Sequence, residues 1–441
     1  MRRTFTRLAH TFRKSPKTTT VEEAIKVIQS GNNVFVQGMA ATPTYLTTKM
    51  TEYGMKEKLD NINVYHMHTE GHCPYVEQEA SKRFHCKTFF VSQNVRDAIN
   101  DGRAEYLPTF MSDIPNLFRK NVIPLDVALV QASPPDAYGF CSLGTSVESS
   151  LSAIEKAKHV ICQINKHVPR TGGDAIVHVS AMDQLVYHNA PLYTSKPKDP
   201  SPEDVEIGRL IATHLVKDGA TIQLGIGNIP NMVLEQLTGH KNLGIHSEMF
   251  SDGVIPLIRS GVVNNTAKTL NAGKIVVSFL VGTQNLFDFV NENPIVEMRD
   301  VAYTNDPHII RQHKDMTAIN SAIEVDITGQ VCSDSIGTRI YSGFGGQLDF
   351  IRGAGLADGG KAIIALHSRT SKGEPRIVPS IHDGGGIVTT RAHVNYVVTE
   401  YGIASLIGKT INERTTELIK IAHPDDRSML SKSAMRRKLI Q

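Results

Sequence analysis

Short hydrophobic blocks recur along the chain, and polar or helix-like segments separate them. In the first half, these blocks predict strands at Asn33–Val36, Ile62–Tyr65, Phe89–Val91, Val127–Val130 and Val160–Ile164. An amphipathic helix is predicted ahead of them, at Val21–Ser30. Short apolar, β-branched runs that alternate with helical segments favour βαβ units and a mostly parallel sheet.

The second half opens in the same way as the first. In NVFVQGMAATP (33–43) and again in TIQLGIGNIP (221–230), a predicted strand ends in glycine and a proline starts the next helix. The other predicted elements of this half are a helix at Val205–Val216, a helix at Met232–Leu237, strands at Ile275–Val281, Ala362–Leu366 and Asn395–Val398, and helices within Glu413–Ala422 and Arg427–Leu439. We therefore expect an α/β protein with two related open-sheet domains, packed so that their strand ends face each other across the active site.

The best candidate for a domain boundary is Pro191–Asp204, which contains four prolines and no plausible core stretch. A chain of 441 residues is long enough for two to three domains of typical size. We expect an N-terminal domain over 21–195 and a C-terminal domain over 200–441. The alternative is a long surface loop inside one domain.

The first 20 residues differ from the rest in composition. They contain six basic residues and no acid, with Phe5, Leu8 and Phe12 at helical spacing. This pattern is typical of a mitochondrial transit peptide, so we expect a location in the mitochondrial matrix. The alternative is a solvated basic tail.

The net charge and the hydropathy of the chain bear on two classes of partner, nucleic acids and membranes. Removing the six basic residues of the leader from the total of 47 leaves 41, against 44 acidic residues. That balance gives no reason to expect a nucleic-acid partner. No apolar run approaches the roughly 18 residues that a membrane-spanning helix needs, so no membrane partner is expected.

The cysteines and histidines give little support to a metal site. The five cysteines are scattered, without a CxxC pair, so a disulfide framework is not expected. A cluster lies between positions 66 and 86, and it consists of His66, His68, His72, Cys73, His85 and Cys86. Its spacing matches neither a zinc ribbon nor HExxH. We interpret these residues as ordinary strand-end and loop residues and expect no metal.

The strongest candidate for chemistry is Glu248, in the segment GIHSEMFSDG (244–253). An acid between polar and apolar neighbours is often an exposed loop residue. Its position between two glycine-rich segments favours a role as a nucleophile. Nothing resembles a GxSxG elbow, which argues against a serine hydrolase.

The two glycine-rich segments are GIGNIP, at Gly225–Pro230, and SGFGGQLDF, at Ser342–Phe350. In the first, Asn228 suits a helix cap and Pro230 suits the first helical position. Exposed amides at such a helix start favour anions, and a pyrophosphate such as that of coenzyme A would fit. The second segment is suited to presenting a backbone amide to an oxyanion. Structural turns are the alternative in both cases.

With HSEMFSDG (246–253) and SGFGGQLDFIRGA (342–354), GIGNIP resembles the acetyl-CoA hydrolase/transferase family over nearly the whole chain from about Val21. The resemblance implies a CoA-transferase-like (NagB/RpiA-like) fold and coenzyme A as a substrate, with no permanently bound cofactor. It implies that Glu248 and Gly346 are catalytic, the latter through an oxyanion amide. The implied coenzyme A contacts are Gly225, Ile226, Gly227, Asn228, Ile229, Ser342, Gly346 and Lys372.

The expected activity is transfer of coenzyme A between short-chain carboxylates, such as acetate with succinate, propionate, butyrate or 4-hydroxybutyrate, through a glutamyl-CoA thioester. The expected partners are acyl-CoA and a short-chain carboxylate, in a homo-oligomer that we expect to be a dimer. The alternatives are an acetyl-CoA hydrolase that uses the same glutamate, and a non-catalytic coenzyme A-binding protein. The turn Ser133–Gly139 also resembles the family and is a candidate for shaping the acyl pocket; a purely structural turn is the alternative.

Overall fold

The computed structural model describes residues 15–196, 199–225 and 227–441. Contacts divide the chain into two compact units. The first contains the described residues up to Ser195 together with Val276–Thr304, and the second contains Lys196–Ile275 and Asn305–Gln441. Most of the predicted leader lies outside the described residues.

The second unit is therefore interrupted, whereas the sequence predicts a continuous domain over 200–441. The physical reason lies in the backbone hydrogen bonds of Val276–Thr304. The Val147 N–H donates to Ser278 O at 2.9 Å, and the Leu280 N–H donates to Thr145 O at 2.9 Å. This segment thus satisfies its polar backbone within the first unit.

The α-helices are α1 (Val21–Ala24), α2 (Thr44–Lys56), α3 (Gln93–Asn100), α4 (Ile114–Arg119), α5 (Ser150–Lys156), α6 (Pro202–His214), α7 (Asn228–Gln236), α8 (Ile255–Arg259), α9 (Gln284–Val290), α10 (Val301–Thr304), α11 (Pro307–Ile310), α12 (Gln347–Leu356), α13 (Ile411–Ile421) and α14 (Pro424–Arg436). Short 3₁₀ helices lie at Ile25–Val27, Pro74–Val76, Ala80–Lys82, Met111–Asp113, Val179–Ala181 and Asp252–Val254.

The first unit is built on an eight-stranded parallel sheet. Its strands are β1 (Lys17–Thr18), β2 (Asn33–Val36), β3 (Ile62–His66), β4 (Phe84–Thr88), β5 (Ala104–Tyr106), β6 (Val127–Ala132), β7 (His159–Ile164) and β8 (Gln184–Tyr187), in the order β1-β8-β7-β6-β2-β3-β4-β5. The strand order reverses beside β2, as in doubly wound folds. All six residues of β6 are buried, as expected for a strand covered on both faces.

The second unit is built on a six-stranded sheet. Its strands are β9 (Thr221–Leu224), β10 (Gly244–Ile245), β11 (Thr317–Ser321), β12 (Lys361–Ala365), β13 (Tyr396–Thr399) and β14 (Gly402–Ser405), in the order β10-β9-β11-β12-β13-β14. The pairs are parallel except for β13 with β14. The carboxyl ends of β9, β10, β11 and β12 consequently lie at one edge of the sheet, where α/β proteins place their ligands.

The remaining strands are short. They are Phe140–Ser142, Gly172–Gly173, Ile176–His178, Met249–Phe250, Ile275–Val277, Phe279–Leu280, Val296–Met298, Glu324–Asp326, Val331–Cys332, Ser335–Ile336, Arg339–Ile340 and Ile377–Val378.

Two sequence predictions of strands need correction. The strand predicted at Phe89–Val91 lies earlier, at Phe84–Thr88, where buried residues alternate with half-buried ones; Phe89 and Val91 are buried in the turn that follows. The strand predicted at Ile275–Val281 is divided into two pieces. The predicted helix at Val21–Ser30 is also shorter, because the chain turns from α1 into a 3₁₀ helix.

The candidate turn Ser133–Gly139 is organised by Asp136. Its Oδ1 accepts hydrogen bonds from the Tyr138 and Phe140 N–H groups, both at 2.9 Å. Arg170 forms an ion pair with Asp136 at 3.0 Å. These contacts account for the shape of the turn without a ligand.

Two features bear on function classes. No helix among the described residues combines the length and apolar character required to cross a membrane. The five cysteines are buried free thiols, and the His66 ring lies 3.2 Å from Cys86 Sγ. Over 15–196, 199–225 and 227–441, no group of three or more His, Cys, Asp or Glu side chains is placed to hold a metal ion.

Candidate active site

Glu248 lies just beyond the carboxyl end of β10, at the edge of the second unit's sheet. The His246 N–H donates to Ile222 O at 3.2 Å, and Ser247 Oγ donates to Leu224 O at 3.3 Å. The flanking residues 246, 247, 249 and 250 are buried, whereas Glu248 itself is half-buried. The end of the strand therefore presents one partly exposed acid among buried neighbours.

Two hydrogen-bond donors hold the Glu248 carboxylate. Asn305 Nδ2 donates to Glu248 Oε2 at 2.8 Å, and the Gly346 N–H donates to the same carboxylate. Asn305 is fully buried, and its Nδ2 also lies 3.5 Å from Asp349 Oδ2. An amide and a main-chain N–H thus converge on one acidic side chain.

Burial raises the pKa of the Glu248 carboxyl from 4.5 to about 7. Desolvation disfavours the charged form, and the hydrogen bonds from Asn305 and Gly346 partly oppose that shift. A carboxylate with a raised pKa is more basic, and therefore a better nucleophile once ionised, than an ordinary surface carboxylate. A perturbed group at a sheet edge is a candidate functional residue.

Gly346 lies very close to the side chains of Glu248 and Asn305. A Cβ at this position would overlap both Glu248 Oε2 and Asn305 Nδ2. Gly346 is the N-cap of α12, and buried Phe350 and Ile351 anchor that helix in the core. The glycine loop thereby brings its amide to the carboxylate predicted from the sequence; a role as an oxyanion amide stays a prediction.

The other predicted glycine turn follows β9. Its residue Ile226 lies outside the described residues. Gly227 is exposed, has a φ of 128° and leaves open space where a Cβ would stand. The Ile229 side chain is buried at 8% exposure, so only its main chain is suited to a ligand contact.

The cap of α7 differs from the sequence prediction. The N-cap is Gly227, and no side chain among the described residues forms a capping hydrogen bond to it. Asn228 is the first helical residue rather than the cap, and Pro230 is the third helical residue rather than the first. Asn228 Nδ2 instead donates to Asp199 O at 3.3 Å and to Asp204 Oδ2 at 3.2 Å.

The structure gathers some of the predicted site residues and leaves others apart. Glu248 and Gly346 are in contact, and the bond from Ser247 to Leu224 places Glu248 beside the turn that begins at Gly225. Ser342 is half-buried, with its N–H donating to Asp334 O at 2.9 Å.

Lys372 lies in an exposed turn after β12, and its N–H donates to Thr370 Oγ1 at 3.3 Å. Within the described part of the chain, no hydrogen bond joins the Lys372 side chain to Glu248 or to either glycine segment. A role for Lys372 toward coenzyme A stays a prediction.

Asn305 is the residue that the sequence analysis missed. It lies 57 positions from Glu248 in the chain, and the segment TNDP around it carries no motif. Only the turn from α10 into α11 brings its carboxamide to the carboxylate. A buried asparagine next to a short helix start is too common a pattern to have identified it.

Comparisons with known proteins identify related sequences and structures. Two family descriptions match: the acetyl-CoA hydrolase/transferase N-terminal domain over residues 9–193, and the C-terminal domain of the same family over 282–434. The chain is 51% identical to a succinyl-CoA:acetate/propanoyl-CoA:succinate CoA transferase of Fasciola hepatica, over 94% of this chain and 87% of that protein. It is 47% identical to a 4-hydroxybutyrate coenzyme A transferase of Clostridium kluyveri, over 94% and 96%.

Solved structures and more distant relatives extend the comparison. RipA from Yersinia pestis superposes with a TM-score of 0.90 at 34% identity, covering 96% of this chain and 98% of that one. An acetyl-CoA hydrolase of Eremothecium gossypii is 28% identical, over 77% of this chain and 73% of that protein. This hydrolase is thus less similar to the chain than the two CoA transferases at 51% and 47% identity.

Proposed function

The chain belongs to the acetyl-CoA hydrolase/transferase family, and we propose that it is a CoA transferase that uses Glu248 as its nucleophile. The substrates are an acyl-CoA and a short-chain carboxylate. Acetate, succinate, propionate, butyrate and 4-hydroxybutyrate are the candidate acids. Two relatives named for reactions of such acids, at 51% and 47% identity, support this substrate class.

The observation that carries the proposal is the pair of donors on the Glu248 carboxylate. Asn305 Nδ2 and the Gly346 N–H both bind the glutamate's own oxygens. When a thiolate attacks the glutamyl carbonyl carbon, negative charge develops on one of those oxygens. Donors already in place there stabilise the developing charge without rearrangement.

The first half of the reaction would convert acyl-CoA into an enzyme thioester. A Glu248 oxygen attacks the thioester carbonyl, and the C–S bond breaks to release the coenzyme A thiolate and leave a mixed anhydride. The thiolate then attacks the glutamyl carbonyl of that anhydride. The first acid departs as a carboxylate, and Glu248 carries coenzyme A as a thioester.

The second half reverses these steps with a different acid. The acceptor carboxylate attacks the glutamyl thioester, releasing the thiolate and forming a new mixed anhydride. The thiolate attacks the acyl carbonyl, so that the new acyl-CoA leaves and Glu248 is regenerated. No water is consumed, and binding of the long coenzyme A chain supplies free energy for the bond exchange.

The test is to give the protein acetyl-CoA without an acceptor acid. Intact-mass analysis is expected to show protein plus coenzyme A, and peptide mapping is expected to place the adduct on Glu248. Glu248→Gln is expected to form no adduct, because a neutral amide is a much poorer nucleophile. Asp252→Asn, which removes a nearby acid from the same segment, is the matched control and is expected to keep the adduct.

The same experiment separates transferase from hydrolase. A transferase releases free coenzyme A slowly alone and forms new acyl-CoA quickly when succinate, propionate or butyrate is added. A hydrolase releases coenzyme A rapidly and ignores the added acid. Rapid release with no adduct on Glu248 would overturn both the mechanism and the class.

We further propose that the protein acts in the mitochondrial matrix, and the basic, acid-free segment of residues 1–20 supports this proposal. The homodimer stays a prediction.

A further inference from the structure

Three buried rings of the second unit form a cluster close to the candidate active site. The His246 ring lies 4.6 Å from the His313 ring and 6.3 Å from the Phe350 ring, centroid to centroid, at interplanar angles of 46° and 58°. All three side chains are fully buried. Centroids about 4.5–7 Å apart are typical of attractive ring packing. His246 is therefore the central member of this group, which we call the three-ring cluster.

Two of the rings stand in the segments that carry the nucleophile and the main-chain amide of the site. His246 is separated from Glu248 by Ser247 alone. Phe350 lies in the first part of α12, and its N–H donates at 3.1 Å to the carbonyl oxygen of Gly346, the N-cap of that helix. The contact between the His246 and Phe350 rings thus links the strand end of Glu248 to the helix start that brings the Gly346 amide.

The third ring stands in the segment that carries the Asn305 carboxamide. His313 follows Asn305 in the chain with α11 between them, and the His313 N–H donates to Ile310 O at the end of α11 at 3.1 Å. Ile310 also packs on α12, since a Cβ added to Gly353 would overlap the Ile310 side chain. The Asn305 segment is therefore connected to both of the other segments, through a ring contact and through a helix contact.

The chemistry of His313 is that of a packing surface. In the part of the chain that the structure describes, neither of its ring nitrogens has a hydrogen-bond partner. Burial, and to a smaller extent the charge of Lys268, lower the pKa of His313 to about 3, so its ring is neutral at neutral pH. Unpaired polar atoms in a core cost stability. What this ring supplies is its contact with His246.

We propose that His313 and His246 are positioning residues: the three-ring cluster fixes the segments that carry the Glu248 carboxylate and its two donors relative to one another. The inference rests on the proposed function in taking Glu248 as the nucleophile. Alignment matters there because a misplacement of about 1 Å can cost about 100-fold in rate. The two histidines act on the reaction through the carboxylate and its donors.

The first test removes the outer ring. His313→Ala is expected to slow formation of the coenzyme A adduct on Glu248, and to lower kcat, by about 10- to 100-fold. The KM for acyl-CoA and the dissociation constant of free coenzyme A are expected to change less than about threefold, because the substitution alters buried packing. An unchanged rate of adduct formation in the folded variant, or a loss confined to KM, would contradict the inference.

A conservative variant separates packing from imidazole chemistry. His313→Phe restores a ring without ring nitrogens, and it is expected to recover adduct formation to within about fivefold of the wild-type rate. If the folded His313→Phe protein is as slow as His313→Ala, the imidazole itself is required and the inference is wrong. If His313→Phe does not fold, His313→Leu, which is close to histidine in size, takes its place with the same expectation and the same contrary result.

Leu430→Ala is the matched control for general loosening of the core. Leu430 is fully buried in α14 and belongs to a different hydrophobic cluster of the second unit. At a temperature well below both melting temperatures, Leu430→Ala is expected to form the adduct within about threefold of the wild-type rate, even where its melting temperature falls as far as that of His313→Ala. Equal slowing in the two variants would overturn the inference.

A double-variant cycle tests whether the two histidines act together. His246→Ala is expected to slow adduct formation, and adding His313→Ala is expected to slow it less than about threefold further, because both changes break the same contact; independent roles would multiply. If His313→Ala does not fold, Phe350→Leu, which removes the third ring but keeps an apolar side chain, replaces it and is expected to slow adduct formation about three- to tenfold. A wild-type rate in folded Phe350→Leu contradicts the inference.

The same measurements distinguish this inference from the proposed function. If the unaltered protein forms no adduct on Glu248, the proposed function is wrong, and the inference about that carboxylate is wrong with it. If the unaltered protein forms the adduct and His313→Ala forms it equally fast, the inference alone is wrong.

Discussion

Two opposing effects act on the charged form of the Glu248 carboxyl: burial destabilises it, and two hydrogen bonds stabilise it. Burial raises its pKa to about 7, so at neutral pH the site holds a carboxylate that is costly to keep charged. Asn305 and Gly346 lower that cost by donating to it. In the proposed mechanism the remaining cost would be released on conversion of the carboxylate into a neutral anhydride or thioester, which would favour acylation of this residue.

Replacing Glu248 by Gln should therefore make the protein more stable at high pH. Because the folded-state pKa is raised from 4.5 to about 7, the folded protein binds more protons than the unfolded chain between these values. The stabilising effect of the neutral acid is complete below about pH 4.5 and is lost as the pH rises through 7. The free energy of unfolding of Glu248→Gln minus that of the wild type is expected to increase by about 1–3 kcal/mol from pH 5 to pH 8, after allowance for partial exposure.

Denaturant unfolding at the two pH values measures this difference. Glu235→Gln, which removes the same charge from an exposed position on α7, is the matched control. Equal pH dependence in the two variants would show that the effect does not come from the site.

At the level of single residues, the sequence predicted the nucleophile and the oxyanion glycine as a pair, and the structure places them in contact. Both residues stand in local motifs that can be recognised without a fold. Asn305 has no such motif, because it acquires its partner only when distant segments of the chain are packed together. Its hydrogen bond to Glu248 spans 57 positions.

At the level of elements, the glycine loop before α12 lies against the Glu248 and Asn305 side chains. The expected effect of Gly346→Ala is a turnover about 100- to 1,000-fold lower, because the methyl group would displace the Glu248 and Asn305 side chains and shift the oxyanion amide. The melting temperature is expected to change little, because the overlap involves two side chains at the edge of the sheet.

Steady-state kinetics and thermal unfolding of the same sample provide the comparison. Gly239→Ala is the control, since among the described residues no atom beyond its two chain neighbours lies within 4 Å of a Cβ at that position. Wild-type turnover in Gly346→Ala, or failure of that variant to fold, would contradict the assigned role.

Secondary-structure elements were predicted well where the local sequence determines them. The strands Asn33–Val36 and Thr221–Leu224 agree with the sequence pattern residue for residue, because each is a short segment with large apolar side chains that leads into a glycine turn. The prediction of Asn228 as the N-cap of α7 was wrong. Which residue caps a helix depends on the other hydrogen-bond partners that its side chain meets in the fold. The Asn228 side chain donates to Asp204 and Asp199, and neither contact is visible in the local sequence.

At the level of the whole molecule, the repeated strand–glycine–helix opening predicted two parallel-sheet units, and both sheets are present. The return of Val276–Thr304 to the first unit was not predictable from composition, since Ile275–Val281 reads as one ordinary core strand. Its division into Ile275–Val277 and Phe279–Leu280 arises where the chain changes units. Hydrophobic pattern determines which residues are buried, but not which of two cores receives them.

The remaining prediction concerns the destination of the whole protein and rests on the sequence of its first 20 residues. Because cationic, acid-free segments with apolar residues on one helical face are typical of mitochondrial targeting, a fluorescent reporter fused to residues 1–20 is expected to enter mitochondria. Replacing Arg2, Arg3 and Arg7 with Gln removes half of the six cations while sparing the apolar residues, and the reporter is then expected to remain in the cytosol. Uniform cytosolic signal from the unaltered fusion would refute the targeting proposal, and equal import of both fusions would show that the cations are not the signal.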